Sequence, residues 1–245
     1  MVMHRGTPGR PVRKAVKETA SVDDDDGDDA PANVFRHAGG TACDARARQF
    51  GYAALTIWLT GLSGAGKSTI AYELEQLLTR EKRPCAVLDG DNLRYRLNRD
   101  LGFTARDRHE NVRRTAEVAR LMNDAGLIVI ASLVSPYRID RATARGIIGA
   151  SRFAEVYVST ALEVCEARDP KGLYRKARRG EISHFTGISS PYERPVEPSL
   201  VLDTGSLPCG AAAAMLHAYL TQRCEAAMGP TGEARRSAQN EENRP

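Results

Sequence analysis

The chain has 245 residues, enough to bury one sizeable core but cramped for two. Its formal net charge is +4, and because an acidic run (Asp23 to Asp26, Asp28, Asp29) sits near one end, the remainder is mildly basic; that excess could suit nucleic acid, yet the arginines are interspersed among acids rather than gathered in a block and a small anionic substrate suits it equally well, and no nucleic-acid partner is expected. No apolar run approaches the roughly 18 residues of a membrane span and no apolar stretch marks a secretory signal, while Cys43, Cys85, Cys165, Cys209 and Cys224 show neither CxxC pairing nor metal-ligand spacing, so reduced thiols in a soluble cytoplasmic protein, away from any membrane, are expected.

Taken in order, residues 1–31 combine charge, proline and glycine with too few large apolar residues to offset the entropy of ordering, and read as a disordered tail. Residues 229–245 read the same way, leaving a single domain over 32–228. A short helical pattern at 45–50 leads to an apolar run, Thr56-Ile57-Trp58-Leu59-Thr60, which reads as a strand. That strand empties into Gly61-Leu62-Ser63-Gly64-Ala65-Gly66-Lys67-Ser68-Thr69, whose glycine, four-residue gap and Gly-Lys-Ser match the P-loop spacing. Glycines let backbone N–H groups approach phosphate oxygens, the helix that follows aims its positive end at them, Lys67 reaches the β/γ oxygens and Ser68 offers an oxygen to Mg²⁺.

Ile70, Leu74, Leu77 and Leu78 place an apolar stripe on the helix after the loop. Cys85-Ala86-Val87-Leu88 reads as a buried parallel strand ending in Asp89-Gly90-Asp91-Asn92, carboxylates at the strand end where open α/β sheets bind ligands, although these residues also form ordinary turns. Arg94, Arg96, Arg99, Arg106 and Arg108 surround Gly102-Phe103, and a helix is predicted from about Asp107 to Ala125, closed by Gly126. Leu127–Ala131 reads as a third strand. Ser135-Pro136 has the form of an N-cap and first helical position, with the helix running to Gly149. A fourth strand at Phe153–Val158, a helix over 162–167, a fifth strand at 199–202 and a closing helix over 211–224, with Met215, Leu216, Tyr219 and Leu220 as its stripe, complete the pattern. Between them, residues 168–180 carry Arg168, Lys171, Arg175, Lys176, Arg178 and Arg179, which suits either a lid over bound phosphate or a solvated helix face. The expectation is an α/β, three-layer P-loop kinase fold with a mainly parallel five-stranded sheet and a mobile lid.

In several blocks the chain resembles the adenylyl-sulfate kinases: Trp58 through Thr69, Leu88-Asp89-Gly90-Asp91-Asn92-Leu93-Arg94, Leu97 through Phe103, Glu110 through Arg114, Ser135-Pro136-Tyr137-Arg138, Cys165 through Tyr174, and Phe185-Thr186-Gly187-Ile188 with the Pro191-Tyr192-Glu193 turn. The resemblance spans roughly residues 33–226. It implies transfer of the γ-phosphate of ATP to the ribose 3′-hydroxyl of adenosine 5′-phosphosulfate (adenylyl sulfate), giving 3′-phosphoadenylyl sulfate. Carried onto this sequence, it implies ATP phosphates on Gly61 through Thr69, Mg²⁺ at Ser68 and Asp89, and the attacking hydroxyl near Asp89 and Asp91. It further implies the phosphosulfate near Arg94, Arg108 and Asn111, adenine between Phe103 and Phe185, Lys171 in a closing lid, a serine that can carry phosphate at Ser135, and a homodimer. Leu93, Tyr95 and Phe35 depart from the family pattern without removing a polar group the chemistry needs. Two other readings compete with it: a P-loop kinase for another hydroxylated substrate, and a nucleotide-regulated binding subunit that has lost turnover.

Overall fold

The structure, a computed structural model, describes His37, Thr41 and residues 43–228; the predicted tails, 1–31 and 229–245, and Phe35 lie outside the described residues. Along the chain the elements are α1 (Cys43–Phe50), β1 (Thr56–Thr60), α2 (Lys67–Arg80), β2 (Cys85–Asp89), α3 (Gly90–Tyr95), α4 (Ala105–Asp124), β3 (Ile128–Ser132), α5 (Arg138–Ile148), β4 (Phe153–Val158), α6 (Leu162–Arg168), α7 (Leu173–Arg178), β5 (Leu200–Leu202) and α8 (Cys209–Met228).

The five strands form one sheet in the order β2-β3-β1-β4-β5, every pairing parallel. Strand side chains alternate between faces, and both faces here are covered. Ile57 and Leu59 of β1, Ile128 and Ile130 of β3, and Ala154, Val156 and Val158 of β4 join Ile70, Leu74 and Leu78 of α2 and Leu216 and Leu220 of α8 in one core. Trp58, Val129, Ala131 and Phe153 point the other way, into a second core with Val112, Ala116 and Ala119 of α4 and Ala144 and Ile148 of α5. The result is the three-layer arrangement expected, and it explains why the central strands read as unbroken apolar runs rather than alternating ones.

Because the sheet is parallel, the loops leaving β1, β2 and β3 emerge at one edge, the carboxyl ends of the strands, where open α/β sheets bind ligands. The register places Asp89, the last residue of β2, beside Ser132, the last of β3. Leu59 pairs with Ser132 in turn, which sets the start of the phosphate loop next to both.

Three sequence expectations are corrected, and one alternative, the turn at Asp89-Gly90-Asp91-Asn92, is set aside. The predicted buried strand at 85–88 is the edge strand β2, with Cys85, Ala86 and Val87 only half buried because, among the described residues, its outer side has no strand neighbour. Asp89-Gly90-Asp91-Asn92 is no turn; the Asp89 side chain caps α3 by accepting from the N–H groups of Asp91 and Asn92. Helix α5 begins at Arg138 with Tyr137 as N-cap, so Ser135 and Pro136 lie outside it. Met215, expected in the apolar stripe of α8, is exposed.

The exit from α4 follows the sequence closely. Gly126 adopts φ 93°, its N–H donates to Asn123 O (2.9 Å) and that of Leu127 to Met122 O (3.0 Å), the reciprocal bonds of a Schellman ending. A Cβ at Gly126 would stand 2.6 Å from Phe50 Cε2. Gly126→Ala is therefore expected to lower the unfolding free energy by about 1–2 kcal/mol, the penalty of a left-handed L-residue, with little effect on turnover; urea denaturation alongside an activity assay checks both.

Candidate active site

Sterics shape the phosphate loop. A Cβ on Gly61 would lie 2.5 Å from Val158 O of the neighbouring strand, so only glycine lets β1 turn out of the sheet there. Gly64 (φ 75°) and Gly66 (φ 92°) supply the left-handed conformations that curl the loop back onto α2. Gly66 is the N-cap of α2 and offers no side-chain acceptor, which leaves the first N–H groups of the helix for an anion. Ser63, Gly64, Gly66, Lys67, Ser68 and Thr69 line a cavity of about 650 Å³. Gly61, Leu62 and Ala65 serve the loop from behind: Leu62 O accepts from Lys67 Nζ (2.7 Å), and Ala65 O accepts from Thr204 Oγ1 (2.8 Å) and Thr160 Oγ1 (3.3 Å).

Lys67 is buried, and burial pulls its ammonium down to about 8. An anion seated on the loop offsets that penalty and favours the charged form of the lysine. Ser68 Oγ donates to Asp89 Oδ2 (2.7 Å) and lies 3.3 Å from Ser132 Oγ. Asp89 Oδ1 is occupied by the N–H groups of α3, so Oδ2 is the oxygen that faces the loop. Hard oxygens from one hydroxyl and one carboxylate, completed by phosphate oxygens and water, are what Mg²⁺ takes beside a nucleotide. Among the described residues no group of three or more His, Cys, Asp or Glu side chains could hold a metal.

The other half of the same cavity is built from α3, α4 and the segment before β5. Arg94 donates to Leu101 O (3.2 Å) and Gly102 O (2.6 Å) and stands 4.7 Å from the centroid of the exposed Phe103 ring. Arg108, buried on α4, donates through Nε to Phe103 O (3.0 Å) and through Nη2 to His184 O (3.0 Å), tying together the two segments that carry Phe103 and Phe185. Burial lowers both guanidinium pKa values, a penalty that an anion between them offsets. Asn111 lies one turn further along α4, and Phe185 packs edge-on against Tyr174, ring centroids 4.9 Å apart. Asp91, Arg94, Phe103, Arg108, Asn111, Ser135, Lys171 and Phe185 all line this cavity with the loop; the fold brings together every site residue expected from the sequence except the three that support the loop from behind.

Ser135 is the residue whose sequence reading changes most. It is buried, adopts φ 34°, and its Oγ accepts from the indole Nε1 of Trp58 (3.1 Å) while its carbonyl accepts from Arg141 Nη1 (2.8 Å). Its hydroxyl satisfies a tryptophan beneath the cavity wall rather than a helix end. The basic segment also divides: Arg178 pairs with Glu166, Arg179 with Glu181 and Arg175 with Asp169, which caps α7 through the Tyr174 and Arg175 N–H groups. Lys171 pairs with Asp91, and that hydrogen bond raises the lysine pKa. Arg168 reaches across to Thr204 and the loop, donating to Thr204 Oγ1 (2.9 Å). The Thr160–Thr204 pair (2.7 Å) that braces the loop was invisible in sequence, because isolated threonines 44 positions apart carry no spacing signal.

A single cavity with a glycine-rich P-loop at one end and an arginine-lined, aromatic-walled compartment at the other defines a phosphotransferase of the P-loop class. Comparison with known proteins narrows the class. The Adenylylsulphate kinase family profile matches residues 53–203. The adenylyl-sulfate kinases of Shewanella amazonensis and Pseudomonas entomophila are each 54% identical to this chain, over 175 residues (71% of this chain, 88% of that protein) and 170 residues (69% and 82%). The structure of the Mycobacterium tuberculosis APS kinase CysC in complex with AMPPNP and APS superposes with a TM-score of 0.67 at 47% identity, covering 69% of this chain and 98% of that one. The chain belongs to the adenylylsulphate kinase family and is an enzyme, an ATP-using kinase.

Two outcomes are expected from this geometry. Lys67→Met should abolish transfer yet raise the unfolding free energy of the nucleotide-free protein by up to ~3 kcal/mol near neutral pH, since it removes a buried charge. The folded pKa lies below the unfolded value of 10.5, so between about 8 and 10.5 the parent regains stability as pH rises and the gap should close; denaturation at several pH values reads this directly. Ser135→Ala leaves the buried Trp58 N–H without an acceptor and should cost about 1–3 kcal/mol, visible as a lower denaturation midpoint.

Proposed function

We propose that this cavity transfers the γ-phosphate of ATP to the 3′-hydroxyl of adenosine 5′-phosphosulfate, giving 3′-phosphoadenylyl sulfate and ADP. The observation that carries the reading is the opposed arrangement just described: the lysine and Ser68–Asp89 end of the cavity suits a nucleoside triphosphate, and the Arg94, Arg108, Phe103 and Phe185 end suits a purine nucleotide with an extra anionic group. Guanidinium forks match phosphate and sulfate oxygens, and aromatic faces take a base at about 1–3 kcal/mol each.

Each residue has a physical task. The loop N–H groups and Lys67 hold the phosphates and neutralise charge as the γ-group transfers. Ser68 and Asp89 would hold Mg²⁺, which would supply positive charge to offset the negative charge of the phosphates during transfer. Asp91, whose carboxylate projects into the cavity and pairs with Lys171, faces the acceptor hydroxyl and takes its proton during direct in-line transfer. Arg108 Nη1 makes no hydrogen bond to the described residues, which leaves a donor for the phosphosulfate. Lys171 and Arg168 close residues 168–180 over the phosphates and exclude water. Ser135 shapes the wall and forms no phosphoenzyme. The family resemblance supports residues 32–228 as the working domain, in the cytoplasm and as a homodimer. No described helix is long and apolar enough to cross a membrane.

Mass analysis of the products from ATP and adenylyl sulfate tests the reaction; adenosine or a sugar phosphorylated in preference would overturn it. Asp89→Asn and Asp91→Asn should both lower turnover, with only Asp89→Asn recovering at raised Mg²⁺; rescue of Asp91→Asn instead would exchange the two roles. Phe185→Ala should raise the KM for adenylyl sulfate about ten- to a hundredfold through lost stacking, with little change for ATP, as steady-state kinetics would show.

A further inference from the structure

Asn98 lies outside the cavity, yet its side chain is completely buried and one of its few partners is a cavity residue. Its backbone N–H donates to Leu93 O (2.8 Å) and its carbonyl accepts from Leu101 N (3.0 Å), so it pins the loop that leads from α3 to Phe103. Its side-chain Nδ2 donates to Asn111 Oδ1 (3.1 Å). An amide has one acceptor end and one donor end. Engaging the oxygen of Asn111 from behind leaves its Nδ2 as the atom presented to the cavity, and that nitrogen has no hydrogen bond to the described residues.

The opposite orientation of both amides would bury Asn98 Nδ2 with no acceptor. As oriented, the unpartnered buried atom is an acceptor, Asn98 Oδ1, and native interiors tolerate an under-used acceptor better than an orphaned donor. A donor beside two guanidinium groups also suits an anionic acceptor substrate.

We infer that Asn98 is a positioning residue for the transfer reaction: it fixes the direction of the Asn111 amide so that Asn111 donates to the phosphoryl, sulfuryl or hydroxyl oxygens of the acceptor nucleotide. This rests on the reading of Asn111 as a substrate contact. It makes acceptor selectivity depend on a side chain that never touches the substrate.

The test is a double-mutant cycle with a polarity variant, read as KM for adenylyl sulfate and KM for ATP on protein confirmed folded by circular dichroism. Asn98→Ala should raise the KM for adenylyl sulfate about tenfold (~1.4 kcal/mol) and leave that for ATP unchanged. Added to Asn111→Ala it should do nothing further, because a residue acting only through its partner is non-additive with it. Asn98→Asp in alkaline buffer keeps the volume and the hydrogen bond but can only accept, so it should reverse the Asn111 amide and raise the same KM at least as much as Asn98→Ala. Additive losses in the cycle, a parental KM in Asn98→Asp, or equal losses for ATP would each overturn the inference. A parental KM in Asn111→Ala would also overturn it, while continued formation of 3′-phosphoadenylyl sulfate would show that the reaction itself had been read correctly.

Discussion

The structure depends on the meeting of β1 with the glycine-rich loop. Phosphate binding requires backbone N–H groups to converge, and convergence requires a chain that leaves the sheet where a Cβ would strike Val158 O, then twice adopts left-handed geometry. Such a loop has little stability of its own. It is held by burial of Ala65, by the threonines that grip its carbonyl, and by β1 standing between β3 and β4 with both faces covered. The lysine at its end is placed under a desolvation penalty that a phosphate removes, so the site's least comfortable residue is the one whose discomfort favours ligand.

The acceptor side is organised differently. There the guanidinium groups do double work, holding loop carbonyls with some donors and presenting others to the cavity. Arg108 links the Phe103 segment to the segment before Phe185 although they are far apart in sequence, and so couples the two walls that would receive a base. This coupling means that removing Arg108 changes wall geometry as well as charge. Beneath the opposite wall, Trp58, Arg141 and Thr60 fasten Ser135 and the residues around it to the sheet: Thr60 Oγ1 donates to Val134 O (2.8 Å) and lies 2.9 Å from Tyr192 OH. The Pro191-Tyr192-Glu193 turn is thereby attached to the same wall, with Arg141 Nη2 donating to Glu193 O (2.8 Å).

Of the fold, the sequence by itself determined the order and type of the main elements, the parallel sheet and the phosphate loop, because hydrophobic period and glycine spacing are local properties that the chain displays without its partners. It also determined the residue types of the site, since the loop, the Asp89–Asp91 pair and the Arg108–Asn111 helix turn are each short in sequence. Tertiary structure decided what depended on distant neighbours. It made β2 an edge strand, half buried where full burial was expected, because nothing among the described residues pairs with its outer side. It gave Ser135 to the Trp58 indole 77 positions away instead of to a helix end, and it divided the basic segment into arginines neutralised by nearby carboxylates and two side chains, Arg168 and Lys171, that reach the cavity. Asn98 shows the same division: its block, Leu97 through Phe103, matched the family in sequence, but only the packing of that segment against α4 revealed which end of the Asn111 amide it holds, because hydrogen-bond direction is a property of the pair and not of either residue alone.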